Sequence, residues 1–446
     1  MRTMRIAGTS SKPLFHSPDR LIVGNAPLVG VLDLPGTYQR PPIRLFFPAT
    51  TTNTKKVPKP ASYFVDNRVA YVLQGFAHIV FARHTTRLHR WILRPFFWLL
   101  SLLSPVRFLK IPGTVHVKKE DDVSVVEYVP PSSLAMNDGL KEGGPSQQQK
   151  TQSLVVFSHG LTGTGEENSI FCASLAKRGY VVASIHHRDG SSCRVPMPDG
   201  SCRYYEHLPT GDEYDPSFRL EQIQARAKEF LYSCSWLMGE ETSDNSLLDN
   251  DDSDEGQQHP IVDQIRQHLD KQKVVAAGFS YGAATASLAA TLEPTKFQCT
   301  ILLDAWLHID YSSRGVEFDF PPEVFGAGWP QTTLKTDTSL AHTDFEKKGL
   351  KVPSLFINSS QFQGYTKLYG ATQRLADQIN TCNKDQTQNQ RSEMHVIPGT
   401  RHQNFCDVFF WLPRRLSKKI FNLGDADAFE AYESILKWTV QFLERV

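Results

Sequence analysis

The stretch Val274–Ser287, VVAAGFSYGAATAS, decides how this chain is read. Four small apolar residues lead straight into Gly278-Phe279-Ser280-Tyr281-Gly282, and alanines with small polar residues follow. The pattern is a strand that stops and a helix that starts, with one serine on the turn between them. So sharp a turn forces the serine into an unfavourable backbone conformation. Side chains two positions to either side would collide with strand and helix, which is why Gly278 and Gly282 stand there. The strain holds Ser280 Oγ exposed at the top of a sheet, with a helix N-terminus aimed at the reacting centre.

A serine hydroxyl is a weak nucleophile and needs a base within reach, itself oriented by an acid. On a strand–elbow–helix unit the chain order is Ser, then Asp or Glu, then His. The next strand, CTILLDAW, ends in Asp304, far enough along for one helix and one strand between. Asp310 and Asp344 are weaker candidates. For the base, EMHVIPGTRHQNFCDV holds two histidines. His395 lies inside a strand and is expected to pack. His402 follows it in a Gly-containing loop, whose mobility would let the imidazole reach Ser280, and it is the chosen base. In FSHGLTGTG, Gly160 lets backbone N–H groups face the site. The N–H of Leu161 and the N–H of Tyr281 are the candidate oxyanion donors, each worth on the order of 10²–10³ in rate. His186, His187 and Asp189 end a strand; adjacent histidines point apart there, so no metal site is assigned.

Outward from the elbow, short apolar runs alternate with helical spacing. Leu154–Phe157, Tyr180–Ile185, Val274–Ala277, Cys299–Leu303, Ser354–Ile357 and Glu393–Ile397 read as strands. Over Ser217–Met238, Leu220, Ile223, Ala227, Phe230, Cys234 and Leu237 share one helical face. The C-terminal AFEAYESILKWTVQFLERV reads as an amphipathic helix. This alternation predicts an α/β architecture, a mainly parallel central sheet flanked by helices, with Ile43–Phe47 and Val123–Val129 as an antiparallel edge. Chemistry then belongs beyond the carboxyl ends of the strands.

The chain has 446 residues, 40% of them hydrophobic and 21% charged, which is enough apolar material for a sizeable core. A formal net charge of +1 offers no global field for nucleic acid. Residues 1–20 are expected to be flexible, ahead of a single domain over 21–446. Polar insertions, read as disordered, interrupt it near 136–152 and 240–259. The basic, polar start shows neither a secretory signal nor a myristoylation glycine. Seven cysteines are scattered without CxxC pairs. The expectation is therefore a cytoplasmic protein with reduced thiols, peripheral on membranes.

The segments FSHGLTG, HHRDGS, GFSYG, LDAW, LFINSSQFQ and GTRHQNFCDV, in that order, resemble the eukaryotic platelet-activating factor acetylhydrolases, group VII-type phospholipases A2 with an α/β-hydrolase fold. The resemblance runs from about Asn25 to Val446, apart from the polar insertions. It implies a triad of Ser280, Asp304 and His402 and oxyanion donors at Leu161 and Tyr281. It also implies release of a short or oxidised acyl group from the glycerol 2-position of a phospholipid, without calcium or any other cofactor. Two positions depart from the family pattern: Phe279 stands where a histidine is frequent, and Ala283 where a second glycine is common. The same residues also fit a general carboxylesterase or lipase of this fold, or a membrane-binding scaffold with an inactive core.

A phospholipid has to be drawn from a membrane or lipoprotein surface. TTRLHRWILRPFFWLLSLLSPVRFLK, ending at Lys110, mixes basic residues with Trp91, Phe96, Phe97 and Trp98. VFFWLPRRLSKKIF, from Val408, does the same with Phe410 and Trp411. Basic residues beside Trp, Phe and Leu suit an interfacial helix. The longest apolar run, from Pro95, is about a dozen residues, too short for the roughly 20 that span a bilayer.

Overall fold

The computed structural model describes residues 21–51, 59–64, 109–117, 126–134, 151–206, 216–240, 259–311, 316–326, 349–383, 391–411 and 414–446, with a few positions between 65 and 108. The insertion at 240–259, Asp344, and the rings of Trp91, Phe96, Phe97, Trp98 and Trp411 fall wholly or mostly outside these residues.

Fourteen strands are present among them: β1 Leu28–Leu34, β2 Ile43–Thr51, β3 Thr114–Val117, β4 Val126–Tyr128, β5 Gln152–Ser158, β6 Val181–Ile185, β7 Arg194–Pro196, β8 Cys202–Tyr204, β9 Leu269–Phe279, β10 Cys299–Leu303, β11 His308–Tyr311, β12 Val316–Asp319, β13 Ser354–Ser359 and β14 Glu393–Ile397. Ten form one sheet in the order β3-β1-β2-β6-β5-β9-β10-β13-β14, with β4 on β2. From β6 to β14 every pairing is parallel. Strand β2 runs antiparallel to both β1 and β6, as does β4 to β2. The expected antiparallel margin is therefore there, but β1–β3 at its far end is again parallel. β7–β8 and β11–β12 are small hairpins outside the sheet.

The parallel strands are apolar on both faces because both are covered. Leu154 and Val156 of β5 face one core, with helices α2 (Pro216–Leu237), α3 (Tyr281–Leu292) and α4 (Thr366–Cys382). Val155 and Phe157 face the other, with α1 (Ser169–Lys177) and α5 (Ala428–Arg445). The helical face expected from Leu220 to Leu237 is buried throughout. This is the α/β-hydrolase fold.

One boundary is corrected. The polar segment 136–152 was expected to be loop to its end, yet Gln152 opens β5 and is buried, bonded to Tyr128 Oη and the Gly179 carbonyl. A buried amide with both partners satisfied behaves as core.

After β5 the chain steps to β6 on one side, then crosses to β9 on the other. The carboxyl ends of β5 and β9 thus flank a point where the strand order reverses, the place where such sheets bind ligands. The turns that leave these two strands carry Gly160–Leu161 and Ser280.

Candidate active site

Ser280 sits between β9 and α3 with φ 58° and ψ −120°, left-handed backbone that a non-glycine residue occupies only at a cost of about 1–3 kcal/mol. The surroundings impose it. A Cβ on Gly278 would lie 2.2 Å from Gly282 O, and one on Gly282 would lie 2.0 Å from Ser158 O. Both glycines are required by close backbone approach, as the sequence suggested. Ser280 N–H donates to Leu303 O at 2.8 Å, and Trp306 N–H to Ser280 O at 3.1 Å, locking the elbow to the end of β10.

His402 Nε2 lies 3.0 Å from Ser280 Oγ, and His402 Nδ1 lies 2.9 Å from Asp304 Oδ2. With Nδ1–H donating to the carboxylate, Nε2 is left to accept the serine proton. Asp304 is wholly buried, so its oxygens need partners. Ser359 supplies two, its N–H to Oδ1 at 2.6 Å and its hydroxyl to Oδ2 at 2.7 Å. Asp310, by contrast, lies at the cleft rim, 3.1 Å from Lys367 Nζ. His395 stacks on Trp438 at 4.4 Å and takes no part.

The loop expected around His402 is a short 3-10 helix, His402–Phe405, and the imidazole is packed on both faces. Its ring is held between Phe279, with centroids 4.6 Å apart, and Phe362, at 4.7 Å and 9° from parallel. Gln361 Oε1 accepts the His402 N–H, and Asn168 Nδ2 donates to Phe405 O. The aromatic at 279 is thus one jaw of a clamp on the imidazole.

In the turn after β5, the N–H of Gly160 donates to Glu167 Oε1, that of Thr162 to Ser191 O, and that of Gly163 to Gly160 O. The N–H groups of Leu161 and Tyr281 make no hydrogen bond to protein among the described residues. Both are therefore open to an incoming oxygen. Arg226, fully buried on α2, fixes the turn's origin by donating to His159 O at 2.8 Å. Burial and the Arg226 charge hold His159 well below the usual imidazole range. His186 and His187 diverge, the first toward Glu166 and the second to Ser158 and Glu229.

The four non-glycine residues with positive φ among those described are Thr162, Ser280, Asp304 and Asn422. Three border a cleft of about 1100 Å³, which Leu161, Trp306, Phe362, Tyr365 and His402 also line; the fourth, Asp304, lies directly behind His402. Sequence reasoning did not reach Ser359, Phe362, Gln361 or Glu167. The motif LFINSSQFQ held the first three, with no local signal of their roles.

Phe410 is corrected. Expected at a lipid interface, it is 5% exposed, packed against Phe409 and Tyr432. Among the described residues of that region the large exposed apolar side chains are Leu416 and Ile420, on the short helix Arg414–Ile420, and Ile420 lines the cleft. Among the described residues no helix is long and apolar enough to cross a membrane. All seven cysteines are free thiols.

A family model described as "Platelet-activating factor acetylhydrolase, isoform II" matches residues 134–311 and 341–446, more than half of the chain. The chain belongs to this family. A platelet-activating factor acetylhydrolase of Canis lupus familiaris is 28% identical over 320 residues, covering 68% of this chain and 58% of the dog protein. The Bos taurus protein of that name is 27% identical over 305 residues, covering 66% and 56%. The chain therefore matches little more than half the length of these relatives. A putative phospholipase A2 of Schizosaccharomyces pombe is 23% identical, covering 65% and 67%. Among solved structures, a ferulic acid esterase from Streptomyces cinnamoneus aligns over 94% of this chain and 90% of its own, at 16% identity and a TM-score of 0.49.

Proposed function

We propose that this chain is a serine esterase of the phospholipase A2 type. Its substrate is a phospholipid with a short or oxidised acyl group at the glycerol 2-position, and it needs no calcium. The observation that carries the reading is the unbroken hydrogen-bonded line from Asp304 through His402 to Ser280, set beneath two unspent N–H groups. Family membership supplies the substrate class.

In this mechanism His402 Nε2 takes the Ser280 proton as Oγ attacks the acyl carbonyl. The buried Asp304, itself held by Ser359, orients and supports the imidazolium. The flanking rings of Phe279 and Phe362 favour the same cation through their faces. The carbonyl oxygen, now negative, meets the N–H groups of Leu161 and Tyr281. His402 returns the proton to the glycerol oxygen, and lyso-phospholipid leaves. Water repeats the sequence on the acyl-enzyme and frees the acid.

Docking to a lipid surface belongs to the same proposal. Leu416 and Ile420 project from a helix that also carries exposed Arg415, Lys418 and Lys419, at the lip of the cleft. That mixture suits an element lying in a headgroup layer.

The deciding experiment is acetate release from a short-acyl ether phosphocholine, with chelator present. Wild type should turn over unchanged by chelator, and Ser280→Ala should lose about 10⁵–10⁶-fold while remaining folded. Turnover of long-chain triglyceride alone would instead mark a general lipase. Failure of a fluorophosphonate to label Ser280 would mark an inactive scaffold.

A further inference from the structure

Glu167 is not a member of the triad, yet it lies against the turn that would receive the oxyanion. Its Oε1 accepts the Gly160 N–H at 2.5 Å, and the next peptide along is the one that presents Leu161 N–H. A Cβ on Gly163 would fall 2.1 Å from Glu167 Oε2, so the carboxyl group fills the hollow beneath Gly160–Gly163. Glu167 Oε1 and the ring of Phe279 are the groups that a Cβ on Gly160 would meet first. Glu167 also lines the cleft, with Ser280 and His402.

We infer that Glu167 positions the oxyanion turn and does so as an uncharged carboxyl group, so that its ionisation slows acyl transfer. The inference rests on the serine-esterase reading of the site. The bond to Gly160 N–H fixes the His159–Gly160 peptide, from which the chain turns into the peptide that carries the Leu161 N–H; Gly163 N–H, donating to Gly160 O, holds that second peptide. A neutral carboxyl does this without opposing the negative oxygen that develops in front of the turn. A carboxylate in the same hollow would set like charge beside it.

The groups around the hollow favour the neutral form. Glu166 adjoins Glu167 in the chain, with His186 opposite it at 3.7 Å. Asp407 and Cys406 face it from the segment after His402, and Cys193 from the far side of the turn. Among the described residues Arg226 is the cation that acts most on it, and it already shares its field with Asp189 and Glu229. Desolvation outweighs the Gly160 N–H and Arg226, and pushes the carboxyl up to about 8. At neutral pH the group is mostly protonated, and it ionises in the mildly alkaline range.

The test is kcat and KM on a soluble short-chain ester from about pH 6 to about pH 10, for wild type, Glu167→Gln and Glu167→Ala. Rates are normalised to competent sites by stoichiometric fluorophosphonate titration, so a misfolded fraction does not count. Wild-type kcat should fall about tenfold as pH rises through about 8, with KM nearly level. Glu167→Gln keeps an acceptor for Gly160 and cannot ionise; its kcat should equal the wild-type plateau and stay level. Glu167→Ala should lie about tenfold below that plateau at every pH. A wild-type profile without the alkaline fall, or the same fall persisting in Glu167→Gln, overturns the inference, and these two decide it even where Glu167→Ala does not fold. If Ser280→Ala kept its turnover, the esterase reading itself would fail. If Ser280→Ala is inactive and Glu167→Gln shows the same alkaline fall as wild type, only the role of Glu167 fails.

Discussion

Replacing Gly282 with alanine tests the backbone packing on which the site depends. The new Cβ would sit 2.0 Å from Ser158 O and 2.5 Å from His159 O, where ordinary contact begins at 3.4 Å. The gap must open by about 1.4 Å, and both atoms it meets are backbone. Ser158 is paired on either side within the sheet, and Arg226 anchors His159 O. The N-terminus of α3 must therefore give way, taking Ser280 and Tyr281 with it. That helix is buried along its length, so the shift should destabilise the fold by about 1–3 kcal/mol, as overpacking does. It also carries the Tyr281 N–H away from the Leu161 N–H. Misplacement by about 1 Å is worth about 10²-fold, and loss of one oxyanion donor about 10²–10³-fold. The expected fall in kcat/KM is about 10²–10³, or about 3–4 kcal/mol of transition-state stabilisation. The assay is hydrolysis of a soluble acetate ester alongside thermal melting. Gly370→Ala, on the outer part of α4, is the control. Its Cβ meets only the end of the Arg374 side chain at 3.3 Å, and the change should stabilise by about 0.5–1 kcal/mol with rates intact. A folded Gly282→Ala enzyme within about threefold of wild-type kcat/KM would refute the reasoning.

Two further outcomes follow from the surroundings of the cleft. Asp407 accepts from Tyr63 Oη at 2.8 Å, Tyr432 Oη at 2.6 Å and Ile170 N at 2.8 Å. Asp407→Ala removes three hydrogen bonds from buried groups and should cost about 5 kcal/mol, lowering the melting temperature by roughly 5–10 °C. Burial raises this carboxyl to about 7 against those donors. Its contribution to stability is thus complete below the ordinary aspartate range and lost as pH rises through about 7. Melts of wild type across that range should slope downward, and those of Asp407→Asn should slope less; parallel slopes would count against the assignment. On the surface, Leu416→Glu should reduce co-sedimentation with anionic vesicles severalfold while hydrolysis of a soluble ester persists. Undiminished vesicle binding would remove Leu416 from the docking proposal.

The residues of the elbow were legible because they are crowded together in sequence: a strand, a turn with two glycines and a small-residue helix announce one another. Order along the chain then led from Ser280 to Asp304 and His402, and periodicity led to the buried face of α2. Ser359 was not legible. It touches Asp304 across 55 residues, and a serine that follows a strand looks like any cap. Phe362 and Phe279 were visible as aromatics, but only the folded chain brings them to opposite faces of one ring. Gln152 misled because a polar residue beside a polar insertion carries no sign that it will be buried. Phe410 misled for the opposite reason: FFW beside arginines has the composition of an interface, and tertiary packing on Tyr432 turned one ring inward.

The two phenyl faces pressed on His402 bear on how a proposed catalytic cycle would be choreographed. In that cycle an imidazole packed on both faces would keep one pose, and the same nitrogen would both collect the proton and hand it back. Under the proposed function the travelling partner would then be the substrate. Its departing oxygen, and afterwards the water that replaces it, would each arrive at one stationary point above Nε2, which would leave the shape of the cleft wall, and not any swing of the base, to sort which esters are cut.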